Sequence, residues 1–170
     1  MNNIYTGEST YLVPIQEKDT PSIIQWRNKD FVRNMFIQQD LLTADIHKKW
    51  LDTMVNTHKV EQFIIYTQKD NKAIGTIFLK NIDIVNGSAE YGNFIGEEAY
   101  LGKGYGTDAG KTIVQYALND LNLCHIYLRV LKKNERAIRA YKKIGFTPIN
   151  NLNISNNDDN IIFMEIKKNR

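Results

Sequence analysis

The chain has little with which to staple or ligate itself. Its single cysteine, Cys124, excludes an internal disulfide. It sits in the apolar run CHIYLRV, where a small buried residue is the first reading and a nucleophile the second. The three histidines, His47, His58 and His125, show no metal-ligand spacing, so no metal is expected. No apolar run approaches the roughly 20 residues a membrane-spanning helix needs. The opening MNNIYTGEST lacks an apolar signal core, and a cytoplasmic location is the expectation. Charge of one sign is scarce as well. The net charge is +3 with no block of like charges, which gives no pointer to nucleic acid or a membrane surface. With 170 residues, 42% of them hydrophobic and 24% charged, the composition suits one globular domain spanning 1–170 with a substantial core.

The patterns that are present alternate between strand and helix. Thr10–Ile15 reads as a short strand, Pro14 marking its end or a sheet edge. Thr20-Pro21 predicts a helix start with a hydroxyl N-cap, and Thr43 a second one, whose buried face would be Ile46, Trp50 and Met54. From Glu61 the pattern turns to strands: EQFIIYTQ, a turn at 69–72, AIGTIFLKNIDIV, the hairpin signal Asn86-Gly87, then SAEYGNFI. An amphipathic helix to Leu121 is followed by the strand LCHIYLRVL. Asn134 then caps a helix stopped by Gly145, and FTPI and NIIFMEIK flank a loop rich in Asn and Asp. The order predicts a mixed α+β fold: a central, mostly antiparallel sheet with helices on both faces.

Glycine is sparse overall but concentrated at Gly102, Gly104 and Gly106, immediately before the helix carrying Ile113, Ala117 and Leu121. A glycine-rich turn feeding a helix start offers unpaired N–H groups and the positive end of the helix dipole, an anion site suited to phosphate. The plain alternative is a flexible loop. A dinucleotide fingerprint is excluded because the sixth position from Gly102 is Thr107 and no strand–helix–strand unit opens the chain. A P-loop is excluded because Gly110-Lys111-Thr112 would need its first glycine at Tyr105.

The segment LGKGYGT resembles the pyrophosphate-binding turn of the GNAT superfamily of acetyl-CoA-dependent N-acetyltransferases, Q/R-x-x-G-x-G/A. Leu101 departs from the usual Gln or Arg. The run NERAIRAYKKIGF resembles the superfamily's N-x-x-A-x-x-x-Y-x-x-x-G-F at Asn134, Ala137, Tyr141, Gly145 and Phe146. The resemblance implies a sheet splayed between the fourth and fifth strands. It implies main-chain contacts to the pantetheine arm of acetyl-CoA (coenzyme A) from Phe94, Ile95 and Gly96. The pyrophosphate would be held by the stretch Leu101, Gly102, Lys103, Gly104, Tyr105, Gly106 and Thr107, with Asn134 and Tyr141 also at the cofactor.

The chemistry implied is direct attack of an amine on a thioester, needing a proton acceptor and an acid for the departing thiolate. Tyr141 is the expected acid, with simple packing on the sheet as its alternative. Glu90, on the same strand face as Gly92 and Phe94, is the candidate base; it could instead pair with an arginine from the N-terminal helices. The W-R-N, V-R and H-x-x-W elements of the N-terminal third resemble enzymes acting on nucleotide-linked amino sugars, and the same stretch also resembles the ribosomal-protein N-terminal and spermidine acetyltransferase branches. There Arg27 and Arg33 would hold phosphates, Trp26 or Phe36 would stack on a ring, and His47 is a further candidate on the substrate side. The acceptor ranking is therefore amino sugar, then protein N-terminus, then polyamine or aminoglycoside. A non-catalytic acetyl-CoA-binding module is the reading from another class, and a homodimer would suit the family.

Overall fold

The computed structural model describes residues 3–149 and 159–168. Its strands are β1 (Tyr5–Thr6), β2 (Thr10–Pro14), β3 (Val60–Thr67), β4 (Ala73–Asp83), β5 (Ser88–Ile95), β6 (His125–Leu131), β7 (Thr147–Pro148) and β8 (Ile161–Lys167). They form one eight-stranded sheet in the order β1-β2-β3-β4-β5-β6-β8-β7. The helices are α1 (Thr20–Asn28), α2 (Asp30–Arg33), α3 (Ala44–Trp50), α4 (Tyr105–Asn119) and α5 (Glu135–Ile144). Every neighbouring pair is antiparallel except β5 and β6, which run parallel.

That parallel pair is short. Its register holds only Ser88↔His125, Ala89↔Ile126 and Glu90↔Tyr127, although β5 continues to Ile95 and β6 to Leu131. Beyond Glu90 the sheet opens into a V. The opening falls between the strands expected to part, the fourth and fifth of the sequence reading. They become fifth and sixth because Tyr5–Thr6, too short to carry a periodic signal, adds a strand at the edge.

Alternation along β3 builds two apolar layers. Phe63 and Ile65 meet Ile77, Ile113, Ala117 and Phe146 beneath α4 and α5, whereas Ile64 meets Ile23, Trp26 and Leu51 from the N-terminal helices. Asp108, in the first turn of α4, ties that helix to the β1–β2 turn through the amides of Glu8, Ser9 and Thr10 and the hydroxyls of Ser9 and Thr10.

Two expectations for the N-terminal helices are corrected. Thr20 is not an N-cap but the first residue of α1, and its hydroxyl is engaged by His47. Thr43 does cap α3, accepting from the Ile46 amide at 3.3 Å. The face Ile46–Trp50–Met54 is not the buried one: Ile46 is 54% exposed, and His47 and Leu51 point inward instead. After Trp50 the chain winds into a π-helical turn, Leu51–Val55, with the Asn56 amide bonded to the Leu51 carbonyl, and the 3.6-residue period is broken there. The expected Asn/Asp-rich loop lies largely outside the described residues.

Candidate active site

The V between β5 and β6 is the inner wall of a cavity of about 580 Å³ that runs from the glycine turn to the N-terminal helices. β4 pairs with β5 along its length, up to Gly75↔Ile95, so one edge of β5 is used. The other edge is unpaired past Glu90. From Tyr91 to Ile95 it offers main-chain donors and acceptors to the cavity, the complement an extended amide-bearing molecule needs.

The glycine turn closes one end. Gly102 and Gly104 hold φ of +71° and +87°, a conformation that costs any other residue, and Gly104 is the residue from which α4 springs. The amides of Tyr105, Gly106 and Thr107 open the helix with no carbonyl one turn behind them. Gly106 lies over Asn93 and Ile95 of β5, so the anion cradle and the unpaired strand edge adjoin. Leu101, in place of a polar residue, lines the cavity without altering those amides. Arg136, in the first turn of α5, supplies a cation on the lining that sequence reasoning missed.

Tyr141 faces this cavity from α5, 8% exposed, its hydroxyl directed at Asn93 Oδ1 at 3.4 Å. Burial pushes its phenol up to about 12, so it is held protonated and able to donate. Tyr91 packs edge-on against it at 5.7 Å, and the Tyr91 hydroxyl is buried without a partner among the described residues. Asn134 also lines the cavity, its Oδ1 accepting the Ala137 amide at 3.4 Å as the cap of α5.

Glu90 is 5% exposed, and most of its acceptor capacity is in use. Oε1 receives Arg129 Nε at 3.0 Å and lies 3.5 Å from Lys80 Nζ, while Oε2 receives Asn81 Nδ2 at 3.0 Å. Its arginine comes from β6, not from the N-terminal helices as anticipated. An amine seeking this carboxylate as a base would compete with two cations and an amide, leaving one lone pair on Oε2.

The N-terminal residues divide. Arg27, Phe36 and His47 line the cavity. The Arg27 guanidinium lies 3.7 Å from the Phe36 ring centroid and donates to the Gln38 carbonyl, yet its Nη1 is buried without a partner. Burial and the neighbouring Arg33 charge lower its affinity for a proton, with Asp40 opposing. Trp26 is not available for stacking. It is 3% exposed in the core, bonded from Nε1 to Glu97 Oε1 at 2.7 Å. Arg33 pairs with Asp30 at 3.1 Å outside the cavity lining. Gly96 is also off the lining: its amide donates to the Ile74 carbonyl at 2.7 Å, and its carbonyl accepts Lys29 Nζ at 2.8 Å. Lys103 is off it too, its ammonium 5.9 Å from the Tyr100 ring centroid. Lys80, Asn93 and Arg129 were missed because only strand register carries them to the cavity. Alternation on β5 would have placed Asn93 beside Tyr91. Among the described residues no cluster of His, Cys, Asp or Glu could hold a metal ion, and no helix is long and apolar enough to cross a membrane.

Comparison with known proteins agrees with this geometry. The Acetyltransferase (GNAT) domain family matches residues 10–147. The chain is 29% identical over 142 residues to spermidine N(1)-acetyltransferase of Escherichia coli K12, covering 84% of this chain and 75% of that protein. It is 30% identical over 150 residues to the probable N-acetyltransferase YjcK of Bacillus subtilis, covering 82% and 81%. The fold superposes on spermidine N-acetyltransferase from Vibrio cholerae in complex with CoA and spermine with a TM-score of 0.81 at 20% identity, covering 94% and 95%.

Proposed function

The chain belongs to the GNAT family of acetyl-CoA-dependent N-acetyltransferases, and within it we propose direct transfer of the acetyl group to a primary amine carried on an anionic molecule, a nucleotide-linked amino sugar first. One observation carries the transferase reading: the unpaired β5 edge, the glycine-turn amides and a protonated tyrosine share one cavity. Acetyl-CoA supplies the activated acetyl thioester. The β5 edge from Tyr91 to Ile95 aligns its pantetheine arm, and the amides of Tyr105, Gly106 and Thr107 hold its phosphates, with Arg136 adding charge. Tyr141 donates its phenolic proton to the departing sulfur. The whole chain serves as one acetyltransferase domain.

The anionic acceptor is supported by the charge of the lining. Glu90 is its only carboxylate among the described residues, already paired, against the cations Arg27, Lys80, Arg129 and Arg136. Arg27 Nη1, buried and unpartnered, suits a phosphate or carboxylate on the acceptor. A polyamine brings further ammonium groups and needs carboxylates to meet them. The relatives favour spermidine as the second reading, since the Escherichia coli protein is named for that substrate.

Free thiol followed with acetyl-CoA and three amines separates these readings: a uridine-diphosphate-linked amino sugar, spermidine and a short peptide with a free N-terminus. The sugar nucleotide is expected to react fastest, and Arg27→Gln to raise its KM about tenfold, the worth of one charge-assisted bond. Spermidine reacting fastest would replace the acceptor. Tight acetyl-CoA binding with no thiol from any amine would leave a binding module.

A further inference from the structure

Around His47 nearly every polar atom is spoken for. Trp50 Nε1 donates to Gln62 Oε1 at 2.9 Å, Gln62 Nε2 to Thr76 Oγ1 at 3.0 Å, and Thr76 Oγ1 to the Phe63 carbonyl at 2.8 Å. This chain of bonds runs from Trp50 and Gln62 on the cavity lining into the sheet and is satisfied within the protein. His47 is not, and with Arg27 Nη1 and the Tyr91 hydroxyl it carries one of three buried, unpartnered polar atoms among the described residues of the lining. Its ring is 2% exposed on the cavity lining, Nδ1 lies 2.9 Å from Thr20 Oγ1, and Nε2 is buried with no partner among the described residues. An orphaned buried nitrogen is costly unless something arrives to use it.

We infer that His47 holds Nδ1–H toward Thr20 and presents the lone pair of Nε2 to the acceptor amine, taking its proton during transfer. The inference rests on the acetyltransferase reading above. As the acceptor nitrogen bonds to the acetyl carbon, the carbon–sulfur bond breaks; the nitrogen's proton passes to Nε2, and the sulfur takes the Tyr141 proton. Water carries the His47 proton away and restores the Tyr141 phenol, so atoms and charge balance. Glu90, held by Lys80 and Arg129, then serves the shape and charge of the wall.

The ring is suited to this role. Burial lowers its proton affinity, so the imidazole is neutral near neutral pH and one nitrogen bears a lone pair. The charged groups sharing the cavity are Arg27 from α1, Lys80 from β4, Glu90 from β5, Arg129 from β6 and Arg136 from α5. On its own helix Asp45, Lys48 and Lys49 are exposed.

Two measurements test it. Nitrogen NMR of the imidazole in the substrate-free protein should find the Nδ1–H tautomer, titrating below the ordinary histidine value. The Nε2–H tautomer would overturn the inference whatever the activity. In turnover with the uridine-diphosphate-linked amino sugar, or with spermidine if that is faster, wild-type kcat should fall on the acid side as Nε2 protonates. His47→Asn, which keeps an N–H toward Thr20, and His47→Gln, which places a non-basic amide near Nε2, should each lose about 10²-fold in kcat and the acid limb. Acetyl-CoA affinity should hold. A lower melting temperature with kcat and the acid limb intact would mark a packing residue and sink the proposal. Failure of wild type to release thiol with any amine would instead remove the acetyltransferase reading and the base role with it.

Discussion

Asp108 offers the sharpest test of how the cofactor end is held. Its Oδ2 accepts four donors: the Ser9 and Thr10 amides at 3.0 and 2.9 Å and their hydroxyls at 3.2 and 2.6 Å. Oδ1 accepts the Glu8 amide at 2.9 Å. In Asp108→Asn the one remaining oxygen takes the four-donor position, which turns the new NH₂ toward the Glu8 N–H. One charge-assisted bond is lost, two donors confront each other, and the remaining bonds weaken to neutral strength. Charged acceptors contribute about 1.5–3 kcal/mol against about 0.5–1.5 for neutral ones. Because the Glu8 contact is exposed, the net loss is set at about 2 kcal/mol, or roughly 4–8 °C in melting temperature for a chain of this size. Burial pushes this carboxyl up, but the bonds from Thr10, Ser9 and Glu8 outweigh it and leave it below its ordinary value of 3.8. A depressed folded value gives stability that is full above the unfolded value and is lost as pH falls through the folded one. The gap between wild type and variant should therefore be complete at pH 7 and narrow below about pH 4. Since Asp108 anchors the first turn of α4, the acetyl-CoA KM should rise too. Thermal melts across that range decide the matter. A difference under about 1 °C at pH 7, or one indifferent to pH, would refute the reasoning.

Other perturbations address the rest of the site. Tyr141→Phe should reduce kcat by about tenfold or more while acetyl-CoA binding, measured by calorimetry, stays near wild type. With its phenol at about 12, the wild-type rate should show no tyrosine limb between pH 6 and 9; such a limb would contradict the assignment. Gly104→Ala forces a side chain to φ of +87° and should cost about 1–2 kcal/mol by denaturant unfolding, with weaker acetyl-CoA binding. Glu90→Gln keeps an oxygen for Lys80 and Arg129, which share Oε1, but removes the charge that pairs with them and turns an NH₂ toward Asn81 Nδ2. A fully buried broken pair costs about 3–5 kcal/mol. Both cations reach solvent, so about 2 kcal/mol is expected in a urea melt, with the acid limb of kcat retained.

What could be read from the chain was whatever lies close together along it. The turn Gly102–Gly106 and the helix after it form a local unit, as do Asn134 and Tyr141, two turns apart on α5. Hairpin signals placed β3 to within a residue and β5 at its observed bounds, while the strand read as AIGTIFLKNIDIV overshoots β4 by two residues. Pairings across the sheet were out of reach. Nothing in periodicity brings Lys80 and Arg129 to the carboxylate of Glu90, since that depends on β4, β5 and β6 lying side by side. Trp26 shows the limit from the other side. An aromatic beside an arginine reads as a ligand surface, but Ile64 of β3 and Glu97 beyond β5 together take it into the core. His47 was legible as a substrate-side candidate but its burial was not, because the apolar Ile46 drew the buried face one residue away from the true one.

The parting of β5 from β6 also bears on folding hygiene. An unpaired strand edge ordinarily recruits strands from other chains, and sheets usually end in short or charged edges to avoid it. Here the unpaired edge of β5 faces the cavity, beside the packed rings of Tyr91, Tyr141 and Phe146. A single extended molecule lying along that edge finds its amides and carbonyls matched. When that molecule binds, it completes the sheet from within. Those amides of Tyr91–Ile95 that point away from β4 should then pass from exchanging freely to exchanging as slowly as the strands around them.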